Sequence, residues 1–372
     1  MKTLLLEKEK MPRNKLCGGG VTPKVLKLLD FELPQEIVES APRSGRIHVG
    51  PNCFTFHSKN PLVYMTSREK FDTLLARKAE DAGAELKDNT LVNNVETHQS
   101  FVEVRTAERS LETRIVIGCD GMGGPTARAT GLYGRWEASE VAYAIESEIR
   151  VGEKGVREFM GPEEYFDVYF GVSPAGYGWV FPKDDHLTVG VGCRLSKLRD
   201  AQQLFRNFLA EIPELVGCDA RPEAHLIPLG GAAHVPVVAN RVLLAGDSAG
   251  FAEPLLGEGI YFAILGGQIA AEVVKEACGN ERFDSEFLKV YERRCNDAFG
   301  KDFDAAFRMA RASYLETYDV DRLATFFFSD RRFHECMMDL MNGSARYRDV
   351  QSRLAWLYLK YRLAKLGLPI RA

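Results

Sequence analysis

The sequence predicts an α/β protein, α+β overall: a discontinuous parallel-sheet domain, an antiparallel β-sheet inserted into it, and a helical C-terminus. Three observations carry this prediction. Short apolar runs end in an acid or a glycine turn at Leu4-Leu5-Leu6-Glu7, at Arg114 to Cys119-Asp120-Gly121 and at Arg241 to Gly246-Asp247, and they read as buried strands of a parallel sheet. Between about Val141 and Pro236 the texture changes to alternating strands, with Tyr177 to Phe181 paired to Leu187 to Val191 across Lys183-Asp184-Asp185-His186. From Asp284 onward nearly everything reads as helix.

The elements follow in order. Leu4 to Leu6 is the first strand, and Cys17-Gly18-Gly19-Gly20 then opens a helical pattern at Val25, Leu28 and Leu29. Ser67 to Gly83 is an amphipathic helix with Ser67 as its cap. Phe101 to Arg105 and Arg114 to Gly118 are strands. Ala142 to Ile145 and Tyr165 to Phe170 begin the inserted sheet, and a long apolar helix opens at Gly259.

Composition removes whole classes of function. The chain has 372 residues, 45% apolar and 27% charged, which is enough to bury a core and suggests two or three domains at about 150 residues each. Its net charge of −4, from 48 basic and 52 acidic residues, provides no basic field for nucleic acid. The eight cysteines form no CxxC pair, so no metal site is expected, and the thiols read as reduced in a cytoplasmic protein. The stretch Gly259 to Val274 is too short to span a bilayer and contains Gln268 and Glu272.

In an open α/β sheet, ligands bind outside the carboxyl ends of the strands, which brings Glu7, Asp120-Gly121 and Gly246-Asp247 to one crevice. A carboxylate after a strand can accept from both hydroxyls of a ribose, although an Asp-Gly pair is also an ordinary turn. The run Leu243-Leu244-Ala245-Gly246-Asp247-Ser248-Ala249-Gly250-Phe251-Ala252-Glu253-Pro254-Leu255-Leu256-Gly257-Glu258-Gly259-Ile260 resembles the ribityl-binding Gly-Asp motif of FAD-dependent reductases and hydroxylases. Within that group the chain is similar to the geranylgeranyl reductase family. Four further stretches support the resemblance: Leu4 to Lys8 with Pro12-Arg13 and Cys17-Gly18-Gly19-Gly20; Arg68 with Phe71-Asp72; Asp120-Gly121 with Arg128; and Pro174 to Lys183.

The resemblance implies a Rossmann-like FAD-binding domain over 1–45, 66–138 and 238–280, an antiparallel substrate domain over 46–65 and 139–237 lying over the flavin, and a helical region over 281–372. It implies that Glu7 holds the adenosine ribose, Arg68 sits near the pyrophosphate and Asp247 binds the ribityl chain. Cys17, Gly18, Gly19, Asp120, Gly121, Gly246, Pro254, Gly257, Gly259 and Ile260 complete the implied FAD site, the last three as a helix entry at the pyrimidine edge favouring the reduced flavin. Cys17 is the implied catalytic thiol, with simple packing as its alternative. Tyr177, Trp179 and Phe181 point to one face of a strand and fit either a groove for an isoprenoid chain or ordinary core packing. His186 lies in the expected hairpin turn, His48, His57 and His234 show no partner by spacing, and all four read as solvated or structural.

The implied activity is hydride transfer from reduced FAD to an isoprenoid double bond in a lipid or lipid precursor, with a monooxygenase or halogenase on the same scaffold, or a non-catalytic lipid- or partner-binding chain, as the alternatives. The reductant is NAD(P)H or a ferredoxin-like electron-donor protein. From Arg331 to Ala372 there are nine basic and three acidic residues, and Ser352 to Leu368 adds Leu354, Trp356, Leu357, Tyr358, Tyr361 and Leu363. That helix fits either peripheral membrane contact or packing with a solvated basic face.

Two departures stand out. A Gly-x-Gly-x-x-Gly turn belongs about 20 residues ahead of the ribose acid, whereas six residues precede Glu7, and Gly121 to Thr126 breaks the pattern at its last position. About thirty residues of strand, turn and helix are thus expected to be missing, through a start placed at an internal Met, a fragment or a true loss, and FAD binding is expected to be weak. Gly124 stands where the family carries Ser, which is expected to loosen that turn.

Overall fold

The computed structural model describes residues 1–132, 136–230, 235–313 and 330–365, so His234 and the end of the 352–368 segment lie outside the described residues. The chain forms two compact units, each assembled from separated stretches. One comprises Met1–Gly19, Thr66–Val141 and Leu226–Lys301, the other Gly20–Met65, Ala142–His225 and Asp302–Ala372.

In the first unit Leu4–Leu6 pairs parallel with Glu85–Lys87, and Val116–Gly118 pairs parallel with Val242–Leu244. Val242, Leu243 and Leu244 are fully buried, as their apolar run predicts. The Leu4–Leu6 strand departs from that prediction: Leu4 and Leu5 are 38% and 40% exposed, because among the described residues Glu85–Lys87 is its one neighbour. A separate antiparallel sheet joins Val92–Thr97, Val102–Thr106 and Ser110–Thr113.

The Arg68–Asp81 helix starts where its cap places it, with Ser67 Oγ accepting from the Lys70 N–H at 3.3 Å. The Ile260–Asn280 helix buries Phe262, Ile269, Ala270, Val273 and Val274. A Cβ at Gly266 would stand 2.7 Å from the Phe251 ring, so glycine there admits the phenyl group. Tyr291, on the Ser285–Cys295 helix, donates its hydroxyl to the Leu244 carbonyl at 2.9 Å and ties that helix to the central strand.

Most of the second unit is a sheet of seven strands in the order Glu223–Pro228, Val141–Arg150, His186–Arg194, Gly176–Pro182, Tyr165–Phe170, Ser44–Val49 and Asn52–His57, of which Val141 and 226–228 fall in the first unit's stretches. The expected hairpin is present, with Trp179 opposite Gly190. The sheet is not purely antiparallel: Ser44–Val49 runs parallel to Tyr165–Phe170. The 44–57 hairpin comes from a distant stretch of chain and joins without a local turn, so nothing forces it to run the other way.

One face of this sheet packs Ile145, Ile149, Val180, Leu187 and Val189 against Val156 of the Gly152–Met160 helix and Phe205 and Phe208 of the Ala201–Ala210 helix. A second cluster joins Ile47, Val49, Phe56 and Phe166 to Phe333, Met338 and Met341 of the Arg331–Asn342 helix. All eight cysteines are free thiols. Among the described residues no helix is long and apolar enough to cross a membrane.

Candidate functional site

The segment after the first strand places Arg13, Lys15, Leu16 and Cys17 half-buried, with Pro12 and Asn14 exposed. Arg13 and Cys17 reach the Arg68–Asp81 helix, and Lys15 reaches the Gly246–Ala249 turn. Arg13 donates through Nε to Glu7 Oε2 at 3.1 Å and through Nη1 to Asp72 Oδ2 at 2.6 Å. Asp72 also accepts two bonds from Arg68, at 2.7 and 2.9 Å, one helical turn away. Cys17 Sγ accepts from the Gly19 N–H at 3.4 Å and is bonded by Arg68.

Burial works against the charge on Arg68, but Cys17 and Asp72 outweigh it and raise its pKa above the ordinary value. Burial likewise pushes the Asp72 carboxyl up, while Arg68 and then Arg13 outweigh that push and hold it below the usual carboxylate range. A depressed folded pKa adds stability above the unfolded value and loses it as pH falls through the folded one. The contribution of Asp72 is therefore complete above an unfolded value of 3.8 and vanishes only below it. In urea titrations, the native protein should exceed an Asp72→Asn variant by a constant margin from about pH 5 to 8, with the curves converging only below about pH 4.

Lys15 reaches Asp247, with Nζ 3.2 Å from Oδ2. Asp247 lies in the Gly246–Ala249 turn directly after the buried strand. Beside it Ser248 Oγ donates to Asp120 Oδ1 at 3.0 Å and accepts from the Gly121 N–H at 2.8 Å. The other oxygen of Asp120 accepts from the Thr126 N–H at 2.8 Å. The Asp-Gly turn is thereby tied to the Gly-Asp turn. It is also not loosened at Gly124, where a Cβ would stand 2.3 Å from the Asp120 carboxyl carbon; the glycine admits that carboxylate.

Glu253 is fully buried and organises the loop that follows. Its carboxylate accepts from the N–H groups of Leu255 at 2.8 Å, of Leu256, and of Glu258 at 3.4 Å. Pro254 is buried, Gly257 is left-handed with φ of +71°, and Gly259 stands at the head of the Ile260–Asn280 helix, whose first turn has no side-chain cap. The N–H groups of that helix's own first turn, from Gly259 onward, are the donors that an uncapped helix entry leaves for a ligand.

In the second unit Tyr177, Trp179 and Phe181 lie on one face, with ring centroids 5.8 and 6.4 Å apart in sequence order. Phe170 and Phe166 extend the strip from the neighbouring strand. The Trp179 indole is 8% exposed and leans over Gly190, where a Cβ would stand 2.2 Å from its ring. Its Nε1 is buried without a hydrogen-bond partner among the described residues. Such an orphaned donor costs about 1–3 kcal/mol.

Two histidines that show no partner by spacing have one. His48 Nε2 lies 2.5 Å from Asp167 Oδ1, and His57 Nδ1 lies 2.9 Å from Ser44 Oγ. His186 sits between Asp185 at 2.7 Å and Glu148 at 3.1 Å. Sequence reasoning also left Lys15, Ser248 and Glu253 without roles and assigned Arg13 and Asp72 none of their own. Lys15 stands between Pro12-Arg13 and Cys17-Gly18-Gly19-Gly20, and that position is the signal that points to it. Glu96, His98 and Glu103 also come together, but Arg105 bonds both of those carboxylates, at 2.8 and 2.6 Å.

Comparison with known proteins gives the family and the fold. The family described as FAD binding domain matches residues 4–301. The chain is 30% identical over 291 residues to an uncharacterized protein of Methanosarcina barkeri, covering 78% of this chain and 73% of that one. It is 30% identical over 325 residues to the digeranylgeranylglycerophospholipid reductase of Picrophilus torridus, covering 80% and 78%. A solved geranylgeranyl bacteriochlorophyll reductase-like protein of Thermoplasma acidophilum shares the fold, with a TM-score of 0.81 at 22% identity, covering 96% of this chain and 93% of that one.

Proposed function

The chain belongs to the FAD-binding domain family, and within it to the geranylgeranyl reductases, and from that premise we propose that it reduces isoprenoid double bonds in a lipid or lipid precursor. The observation that carries this reading is the convergence of Glu7, Arg13, Lys15, Arg68, Asp72 and Asp247 within one unit. Their chemistry fits FAD: carboxylates for sugar hydroxyls at both ends, cations for the diphosphate, and an uncapped helix entry beyond.

Reduced FAD supplies the hydride when bound. Glu7 accepts from the adenosine ribose and Asp247 from the ribityl chain. Arg68, held by Asp72, faces the pyrophosphate, and Asp120 with Gly121 buttresses the Gly-Asp turn. Cys17, Gly18 and Gly19 would lie beside the ring system, and the Cys17 thiol would be the protein's candidate proton donor. Gly259 and Ile260, at the uncapped helix entry, would offer their N–H groups to the pyrimidine edge, while Gly257, whose N–H donates to the Glu253 carbonyl at 3.0 Å, would shape the turn that leads there. Tyr177, Trp179 and Phe181 line the isoprenoid chain, each buried methylene adding about 0.8 kcal/mol. NAD(P)H or a ferredoxin-like protein provides the electrons. The 352–368 segment makes the peripheral membrane contact, with Trp356 and Leu359 exposed on it.

The test is a flavin count followed by a product assay. Purified protein is expected to carry or take up FAD, and Asp247→Ala to lose it. Reduced anaerobically and given geranylgeranyl diphosphate or a digeranylgeranyl lipid, it is expected to add one H2 per double bond by mass spectrometry. Oxygen consumption coupled to a hydroxylated or halogenated product overturns the reductase reading, and protein unable to take up FAD overturns the cofactor reading.

A further inference from the structure

We propose that Lys15 is the counter-charge of the FAD diphosphate, a binding residue held in waiting by Asp247. This rests on the FAD site argued above and assigns a role to a side chain that the family resemblance leaves without one.

FAD carries, in order, ribose hydroxyls, two anionic phosphates and ribityl hydroxyls. The protein presents a matching order of charge. Glu7 is bonded by Arg13 at 3.1 Å, and two residues further on Lys15 reaches Asp247 at 3.2 Å. Read from one sugar-binding carboxylate to the other, the series is minus, plus, plus, minus.

The two cations are not equivalent. Arg13 is committed, with a second carboxylate at 2.6 Å and a side chain only 18% exposed. Lys15 makes one ion pair and is 34% exposed. Its ammonium is a compact charge on a flexible four-carbon stem with three donors, so it can turn to a phosphate oxygen and keep a bond to Asp247. The ribityl chain is bonded directly to the diphosphate, so a group 3.2 Å from the ribityl-binding carboxylate lies within a lysine's swing of the phosphates. A dianion brought beside Asp247 without that cation would meet a like charge. Lys15 removes the repulsion and adds a charge-assisted bond.

The experiment titrates FAD, ADP and riboflavin into the full chain and its Lys15→Met and Lys15→Arg variants, at low and high salt, with circular dichroism confirming the fold. Lys15→Met is expected to weaken FAD and ADP about tenfold or more. It should leave riboflavin, which has no phosphate, within about twofold, and its deficit should shrink as salt screens the native protein. Lys15→Arg should retain most of the affinity. Unchanged FAD and ADP binding overturns the proposal, as does a loss that falls equally on riboflavin, which would make Lys15 only a brace for Asp247. Native protein that binds none of the three overturns the FAD site itself, and the role of Lys15 with it.

Discussion

Replacing Glu253 by alanine is expected to lower the stability of the first unit by about 3 kcal/mol and to abolish FAD binding together with it. The carboxylate is fully buried, and it accepts from the backbone of Leu255, Leu256 and Glu258. Alanine would leave several donors without their acceptor, and each buried unsatisfied donor costs about 1–3 kcal/mol. The same bonds set the path of Gly257 and the entry to the Ile260–Asn280 helix, so the damage is transmitted to the N–H groups that we propose for the flavin. Glu253→Gln keeps the volume and two acceptor lone pairs, and should lose only about half as much. Urea unfolding and an FAD titration on both variants check the order. A Glu253→Ala protein with native stability and native FAD affinity would refute it.

Asp167 carries the second large effect, on the other unit. It is fully buried and faces two cationic or basic neighbours from the parallel strand. Arg46 donates to it twice, at 2.8 and 2.7 Å, and His48 approaches at 2.5 Å. Arg46 also stacks over Phe159 and Tyr165, and His48 lies flat on Tyr169 with centroids 4.2 Å apart. Burial works against the Arg46 charge, and Asp167 outweighs it and keeps its pKa above the ordinary value. Asp167→Ala strands that charge, and the expected loss is about 3–5 kcal/mol. A double variant, Asp167→Ala with Arg46→Met, should recover a large part of it, because the penalty is the uncompensated guanidinium rather than the missing acid. A double variant no more stable than the single one would contradict that account.

The sequence made legible whatever is local. Apolar runs closed by an acid or glycine located Leu4–Leu6, Val116–Gly118 and Val242–Leu244. A capping serine located the helix after Ser67, and alternation located the hairpin around Trp179 and Gly190. Each of these signals is written within a dozen residues. What stayed hidden depends on pairing at a distance. Ser44–Val49 joins Tyr165–Phe170 across more than a hundred residues, so nothing near Arg46 or His48 announces Asp167. The same holds for Lys15 and Asp247, which meet only once the first segment and the Gly-Asp turn are folded together. Glu253 was in view inside the quoted motif, but its work is done on backbone N–H groups, which carry no letter in a sequence.

The indole of Trp179 and the missing side chain of Gly190 occupy one volume between them. Descent cannot treat the two positions as independent. A lineage that adds even a methyl group at 190 must first give up the indole at 179 or tilt it away, and a lineage that trims 179 is free to fill 190. The width of the aromatic strip, and with it the bulk of isoprenoid that we propose it receives, is thus set jointly by two residues on different strands. A change in substrate girth would be recorded as a paired exchange rather than as a drift at either site alone.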